Sequence, residues 1–225
     1  MCWAGFTFAA IEPKGFLLVD SGGQYPLCTT DITRTIALGE LTQEEKIYYT
    51  TVLRGHLALL KAVFIKGTKG ENLDILARQY LWNMGADYRH GTGHGIGCQL
   101  SVHEGGPSVR YKISLGRLSA DLTPGMIISD EPGYYEEGKF GIRIENELEV
   151  VYKNNTSWGD FYGFESLTLV PYEREAIIVS MLSDEEIDMI DKYHERIYSK
   201  LSCILDEDER EWLKYATLPL KSART

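Results

Sequence analysis

Two segments of the chain place acidic residues at both ends of a turn. The first, DSGGQYPLCTTDITRT, begins at Asp20 and carries Asp20 and Asp31 on either side of a Gly- and Pro-containing centre. The second, EPGYYEEGKFGIRIENE, carries Glu131 and Glu145 symmetrically about Gly138. The runs beside the first turn are β-type. FLLVD, from Phe16 to Asp20, reads as a buried strand, and TTDITRTIAL, from Thr29 to Leu38, as a β-branched strand with partial alternation. Both segments therefore read as antiparallel hairpins. A single Asp beside a turn has an ordinary explanation, because its side chain bonds nearby backbone N–H groups. Paired hairpins offer another. Residues directly opposite on two strands share a face, with Cβ atoms about 4.5–5.5 Å apart. Asp20 would then face Asp31, and Glu131 would face Glu145. A slip of one residue in register would move a side chain to the other face.

Four carboxylates gathered on one surface repel, and some must take up protons unless cations relieve them. Two divalent ions about 3.5–4 Å apart would be bridged by such a set. Between the hairpins lies YRHGTGHGIGCQLSVHEGGP, in which glycines alternate with His90 and His94 and lead on to His103. So much glycine excludes a helix and suits a backbone packed closely against something. His94 would add a nitrogen ligand to the carboxylates. An oxygen-rich set with one imidazole suits Mn²⁺, Co²⁺ or Fe²⁺, and Zn²⁺ stays open.

The rest of the chain supplies a framework. Thr42 and Glu45 form a capping box. After it, Tyr48, Val52, His56, Leu59, Leu60 and Val63 recur at helical spacing up to Gly67. A second helix is expected over 71–84, with Leu73, Leu76, Ala77, Tyr80 and Leu81 inward and Gly85 as its stop. MIISD and SLTLVP read as strands. Ser183 and Glu186 form another capping box, before a helix with Ile187, Ile190, Tyr193, His194, Ile197 and Leu201 on one face. The acidic stretch from Asp206 opens a short helix around Trp212. His56 and His194 read as structural, and Trp158 as core or interface. Strands and helices of this kind, with no linker between them, make one α+β domain over 1–225, with a helical extension from about 183.

With 225 residues the chain can bury a sizeable core. A formal net charge of −10 argues against nucleic acid as a partner. Cys2, Cys28, Cys98 and Cys203 contain no CxxC pair, which speaks against a cysteine zinc site and fits a reducing, cytoplasmic setting. The apolar start MCWAGFTFAA is too short to cross a bilayer, so no membrane association is expected.

The ordered set DSGGQY, TTDITRT, GTGHGIG, VHEGGP, SDEPGYY and GIRIENE resembles the metal-dependent peptidases of the pita-bread fold, the M24 metallopeptidases. Within them it is similar to the Xaa-Pro aminopeptidases, especially the large cytosolic type. The resemblance runs from about Pro13 to the C-terminal helices. It implies a curved antiparallel sheet with helices on its outer face. It also implies that the chain is the catalytic domain, partly incomplete at the N-terminus, where the family carries further helices and another histidine. The metal ligands it implies are Asp20, Asp31, His94, Glu131 and Glu145, holding two divalent ions. Mn²⁺ is favoured, with Co²⁺, Zn²⁺ and Fe²⁺ as alternatives. A water or hydroxide bridging the ions would cleave the bond between an N-terminal residue and a following proline. Glu131 would double as proton-transfer group. His90 and His103 would hold substrate and stabilise the tetrahedral intermediate, Tyr135 would stand near it, and Arg143 would hold a carboxylate ligand. Proline-containing peptides are the implied substrates and a homodimer the implied assembly. Prolidase activity, or a non-catalytic peptide-binding module of the same fold, are the alternatives. With the N-terminal portion missing, metal binding is expected to outlast peptide hydrolysis.

Overall fold

The computed structural model describes residues 10–112 and 119–220. Its strands pair antiparallel throughout. β1 (Phe16–Gln24) and β2 (Thr29–Ala37) form a two-stranded ribbon, and β7 (Gly133–Tyr135) and β8 (Gly141–Arg143) form another. The remaining strands are β3 (Val63–Ile65), β4 (Gly93–Gly95), β5 (Glu104–Val109), β6 (Ile127–Asp130), β9 (Asn146–Thr156) and β10 (Gly159–Ser166). They make a six-stranded sheet in the order β3-β10-β9-β6-β4-β5. The helices are α1 (Gln43–Leu60), α2 (Asp74–Trp82), α3 (Asp184–Leu201) and α4 (Glu207–Ala216). α1 packs against β6, β7, β8 and β10, while α2 and α3 pack against α1.

Two apolar clusters hold these layers. Tyr49, Leu53 and Leu57 of α1 meet Ile142, Ile144, Tyr172 and Ile190 in one. Phe64, Leu122, Ile128, Leu148, Val150 and Phe164 fill the sheet side in the other. Both expected capping boxes are formed, Thr42 with Glu45 and Ser183 with Glu186, and α4 opens on another, Asp206 with Glu209. Each satisfies backbone N–H groups that a helix start would otherwise leave unpaired, a contribution of about 1 kcal/mol apiece.

Several elements differ from the sequence expectations. α1 stops at Leu60, and Val63, Phe64 and Ile65 turn into a strand paired with β10. A short apolar run suits either state, and here the open edge of β10 decides it. α2 begins at Asp74, because Gly70–Asn72 forms a turn of 3-10 helix held by the Asn72 side chain on the Lys69 N–H. SLTLVP leaves the sheet at Ser166; from there the chain runs past Arg34, whose guanidinium donates to the carbonyls of Val170 and Pro171. Strand β1 is only half-buried, with Val19 39% exposed, because among the described residues β2 alone pairs with it. Trp158 is exposed at the β9–β10 turn, so it is not core.

Hairpin register fixes the acids. Glu131 and Glu145 lie just beyond the Gly133↔Arg143 pair on the line that runs through the turn at Gly138, where φ is +77°. They stand opposite each other, as expected. The first hairpin turns one residue later than expected, through Tyr25 to Cys28, so Asp20 pairs with Thr33 and Asp31 with Gly22. Asp20 and Asp31 still share a face, because Gly22 is two residues from Asp20 and side chains alternate with period two. They are diagonal neighbours rather than a direct pair.

Candidate metal centre

Ligand-type atoms of Asp31, His94 and Glu145 lie within 4.8 Å of one another. Asp31 comes from β2, His94 from β4, and Glu145 from the residue preceding β9, so three separate segments converge on the point. Glu131, after β6, joins them with Oε1 at 3.4 Å from His94 Nε2, which is also 3.5 Å from Asp31 Oδ2. The backbone explains His94. Its Nδ1–H donates to the Gly95 carbonyl at 3.0 Å, which leaves Nε2 aimed at the carboxylates. A histidine whose other nitrogen is committed in this way is oriented as a metal ligand. Gly93 sets the depth of the strand, since a Cβ there would stand 1.9 Å from the Ser129 carbonyl oxygen. Only glycine lets β4 approach β6 so closely.

The carboxyls show what such crowding costs. Burial pushes Glu145 up to about 8, and the charges of Glu131, Asp31 and Asp20 add to the push. Burial likewise lifts Glu131 to about 6, against the opposing pull of His94 and Arg143. Burial alone would lower His94, but its contact with Asp31, its bond to the Gly95 carbonyl and the charge of Glu131 carry it to about 8. These are groups that want a cation between them. A buried set of carboxylate oxygens around one oriented imidazole fits divalent first-row ions.

The remaining expected residues form a chain along one side. Asp20, half-exposed, stands apart from the triad and accepts from Arg143 Nη2 at 2.6 Å. Arg143 Nη1 donates to the Tyr135 hydroxyl at 3.0 Å, and that hydroxyl lies 3.0 Å from His90 Nε2. His90 Nδ1 donates to the Gly91 carbonyl, so Nε2 accepts from Tyr135, and burial holds His90 below its ordinary range. His103 meets His94 edge to face, ring centroids 4.3 Å apart.

Sequence reading missed several supports. Thr33 donates to Glu145 Oε2 at 2.6 Å and accepts from Arg143 Nε at 3.0 Å. Glu147 accepts from the Asp31 N–H, and burial lifts its carboxyl to about 7. Each lies two residues after an expected ligand, so strand alternation was the available signal. Arg78 had only its spacing from Asp74. It is buried, bonds Asp74 and Asp87, and donates to the carbonyls of Tyr88 and His90, which ties down the loop that carries His90. His56 and His194 are fully buried, as a structural role requires. His56 joins Asp130 to Tyr172, and His194 accepts from the Tyr172 N–H.

The model of metallopeptidase family M24 matches residues 2–151, and that of the C-terminal region of peptidase M24 matches residues 160–220. The chain belongs to metallopeptidase family M24. Similar M24 proteins include a probable Xaa-Pro aminopeptidase P of Tuber melanosporum, 46% identical over 94% of this chain and 35% of the relative. Another, of Talaromyces marneffei, is 49% identical over 95% of this chain and 33% of the relative. The chain thus spans about a third of the length of the curated relatives it matches. Among solved structures, an X-prolyl aminopeptidase of Caenorhabditis elegans, described as a cytosolic enzyme with a di-nuclear active site, superposes with a TM-score of 0.82 at 39% identity. That match covers 90% of this chain and 33% of the other. A Xaa-Pro dipeptidase of Bacillus anthracis is more distant, with a TM-score of 0.56 at 34% identity, covering 70% and 40%. The α+β pita-bread architecture of the family is therefore the fold of this M24 chain.

Proposed function

We propose that this chain carries the catalytic centre of a dinuclear metal-dependent aminopeptidase that hydrolyses the bond between an N-terminal residue and a following proline. The observation that carries this reading is the convergence of Asp31, His94 and Glu145, with Glu131 against His94, at one partly buried point. Asp20, Asp31, His94, Glu131 and Glu145 would hold two divalent ions, with Mn²⁺ the best match to an oxygen-rich set and Co²⁺, Zn²⁺ and Fe²⁺ the alternatives. Such ions, when bound, make water a nucleophile near neutral pH and polarise the carbonyl it attacks. The likeness to Xaa-Pro aminopeptidases supports proline-containing peptides as substrates, and the Caenorhabditis relative supports a cytosolic setting.

The protein groups then have distinct tasks. Glu131 holds and returns a proton at its carboxylate, whose Oε1 accepts from Ser129 Oγ at 3.2 Å. His90 stays uncharged, so it takes a hydrogen bond at Nε2 and steadies substrate together with His103. Arg143 braces the Asp20 carboxylate and the Tyr135 hydroxyl at once. The test is release of free arginine from Arg-Pro-Pro by the chain supplied with Mn²⁺. Arginine release that EDTA abolishes supports the reading. A chain that holds no Mn²⁺, or cleavage confined to Xaa-Pro dipeptides as by a prolidase, overturns it.

A further inference from the structure

Strand β2 works on both of its faces. Alternation turns Asp31 and Thr33 toward the metal centre and Arg34 away from it. Arg34 is buried, and each nitrogen of its guanidinium is engaged. Nη1 donates to the carbonyls of Thr33 at 3.0 Å and Glu145 at 2.5 Å. Nη2 donates to Asn146 Oδ1 and the Val170 carbonyl, both at 2.7 Å, and to the Tyr193 hydroxyl at 3.1 Å. Nε donates to the Pro171 carbonyl at 3.1 Å. One side chain thus joins the backbone of Glu145 to the segment after β10 and to α3.

Glu145 depends on that grip. It lies between β8 and β9, outside either strand. Its N–H donates to the Thr33 carbonyl at 3.1 Å, its carbonyl accepts from Arg34, and its Oε2 accepts from the Thr33 hydroxyl. Arg34 touches no ligand side chain, yet it holds the peptide group from which a ligand side chain projects. Tyr193 fixes the far side of the guanidinium, since its hydroxyl also donates to the Val170 carbonyl at 2.9 Å.

We infer that Arg34 is a positioning residue for Glu145, and that through it the C-terminal part of the chain, from Val170 to α3, sets how tightly the metal centre holds its ions. The inference rests on the metal-centre reading and adds to it the control of that site by a region that supplies none of its ligands. The acceptors around Arg34 are neutral oxygens, and a buried charge so placed contributes less to stability than apolar packing of the same volume. What it supplies is geometry: a planar fork fixes acceptors on separate segments at once, which a lysine ammonium does not reproduce.

The test measures Mn²⁺ affinity by calorimetry for the unaltered chain, R34K, Y193F and I190V, and amide hydrogen exchange for the same proteins free of metal. R34K should bind Mn²⁺ about 10- to 100-fold more weakly, the usual effect of losing a group that orients a ligand. Y193F, which removes the acceptor on α3, should show a smaller loss. I190V trims the buried face of the same helix, so it should lower Tm and leave affinity unchanged. In the metal-free proteins the Glu145 N–H, measured relative to the amides of α1, should exchange faster in R34K and Y193F but not in I190V. If R34K fails to fold, Y193F decides. Unchanged affinity in R34K and Y193F, or a loss in I190V equal to that in Y193F, overturns the inference. An unaltered chain that binds no Mn²⁺ sinks the metal-centre reading; the exchange then decides the positioning role, upheld by the pattern above and overturned by equal rates in all four proteins.

Discussion

Removing the metal should turn the carboxylate cluster into a pH-dependent weakness. In the metal-free chain Glu145 sits at about 8, Glu147 at about 7 and Glu131 at about 6, all above the ordinary 4.5 of a glutamate. A carboxyl with a higher folded than unfolded pKa favours the folded state while protonated. It loses that contribution as pH rises from the unfolded value through the folded one. His94, raised to about 8, acts in the same direction above 6.5, because its stabilising charge is lost as pH rises. All four groups therefore lower stability between pH 4.5 and 8. For Glu145, which is 2% exposed, the move from 4.5 to about 8 corresponds to about 5 kcal/mol. For a chain of this size 1 kcal/mol shifts Tm by about 2–4 °C, so a fall of about 10 °C or more is expected. The assay is thermal unfolding by circular dichroism of EDTA-treated protein at pH 5, 6, 7 and 8, with and without Mn²⁺. Tm should fall steadily across the series without metal. Mn²⁺ should restore it at pH 8 and do little at pH 5, where protons compete for the ligands. E145Q should remove most of the fall. A metal-free Tm that is flat or rises from pH 5 to 8 would refute the reasoning, because the carboxyls would then not be crowded as the structure has them.

Three further outcomes follow from the packing. T33V removes the donor to Glu145 and the acceptor for Arg143 Nε, so Mn²⁺ affinity measured by calorimetry should drop about 10- to 100-fold, with T33S largely spared. Burial lowers His194 to about 4, so its contribution to stability is complete above pH 6.5 and lost as pH falls through 4; H194Q should flatten that part of a denaturant-midpoint series. G93A forces a Cβ against the Ser129 carbonyl and should cost about 3 kcal/mol or more in urea unfolding, whereas G105A, with nothing within 4 Å of its new Cβ, should cost little.

Much of the site was legible because its chemistry is written at strand spacing. Glu131 and Glu145 sit symmetrically about a glycine that takes positive φ, so the turn itself set their register. The first hairpin was harder. Its centre, QYPLC, offers several turn positions, and the choice moved the partner of Asp20 to Thr33 while leaving both acids on one face. Alternation survives because moving the turn by one residue lengthens β1 by one and shortens β2 by one, a register change of two residues and so one full period. The helix ends were less legible for another reason. Val63, Phe64 and Ile65 continue the apolar pattern of α1, and only the unpaired edge of β10, distant in sequence, draws them into a strand. Arg78 shows the limit most clearly. Its i,i+4 spacing from Asp74 marks only a helical ion pair, yet folding buries it beneath the loop of His90, where it also donates to the carbonyls of Tyr88 and His90.

The central claim is that Asp20, Asp31, His94, Glu131 and Glu145, brought together by separate segments of the chain, form one site for two ions. The most direct measurement is the metal content of the chain after equilibration with Mn²⁺ and removal of free ion, by elemental analysis. The account predicts two ions per chain, and a clear loss in a D31N/E145Q double variant that still shows the native circular dichroism spectrum. An unaltered chain that retains no Mn²⁺, or a double variant that retains two ions, would contradict it.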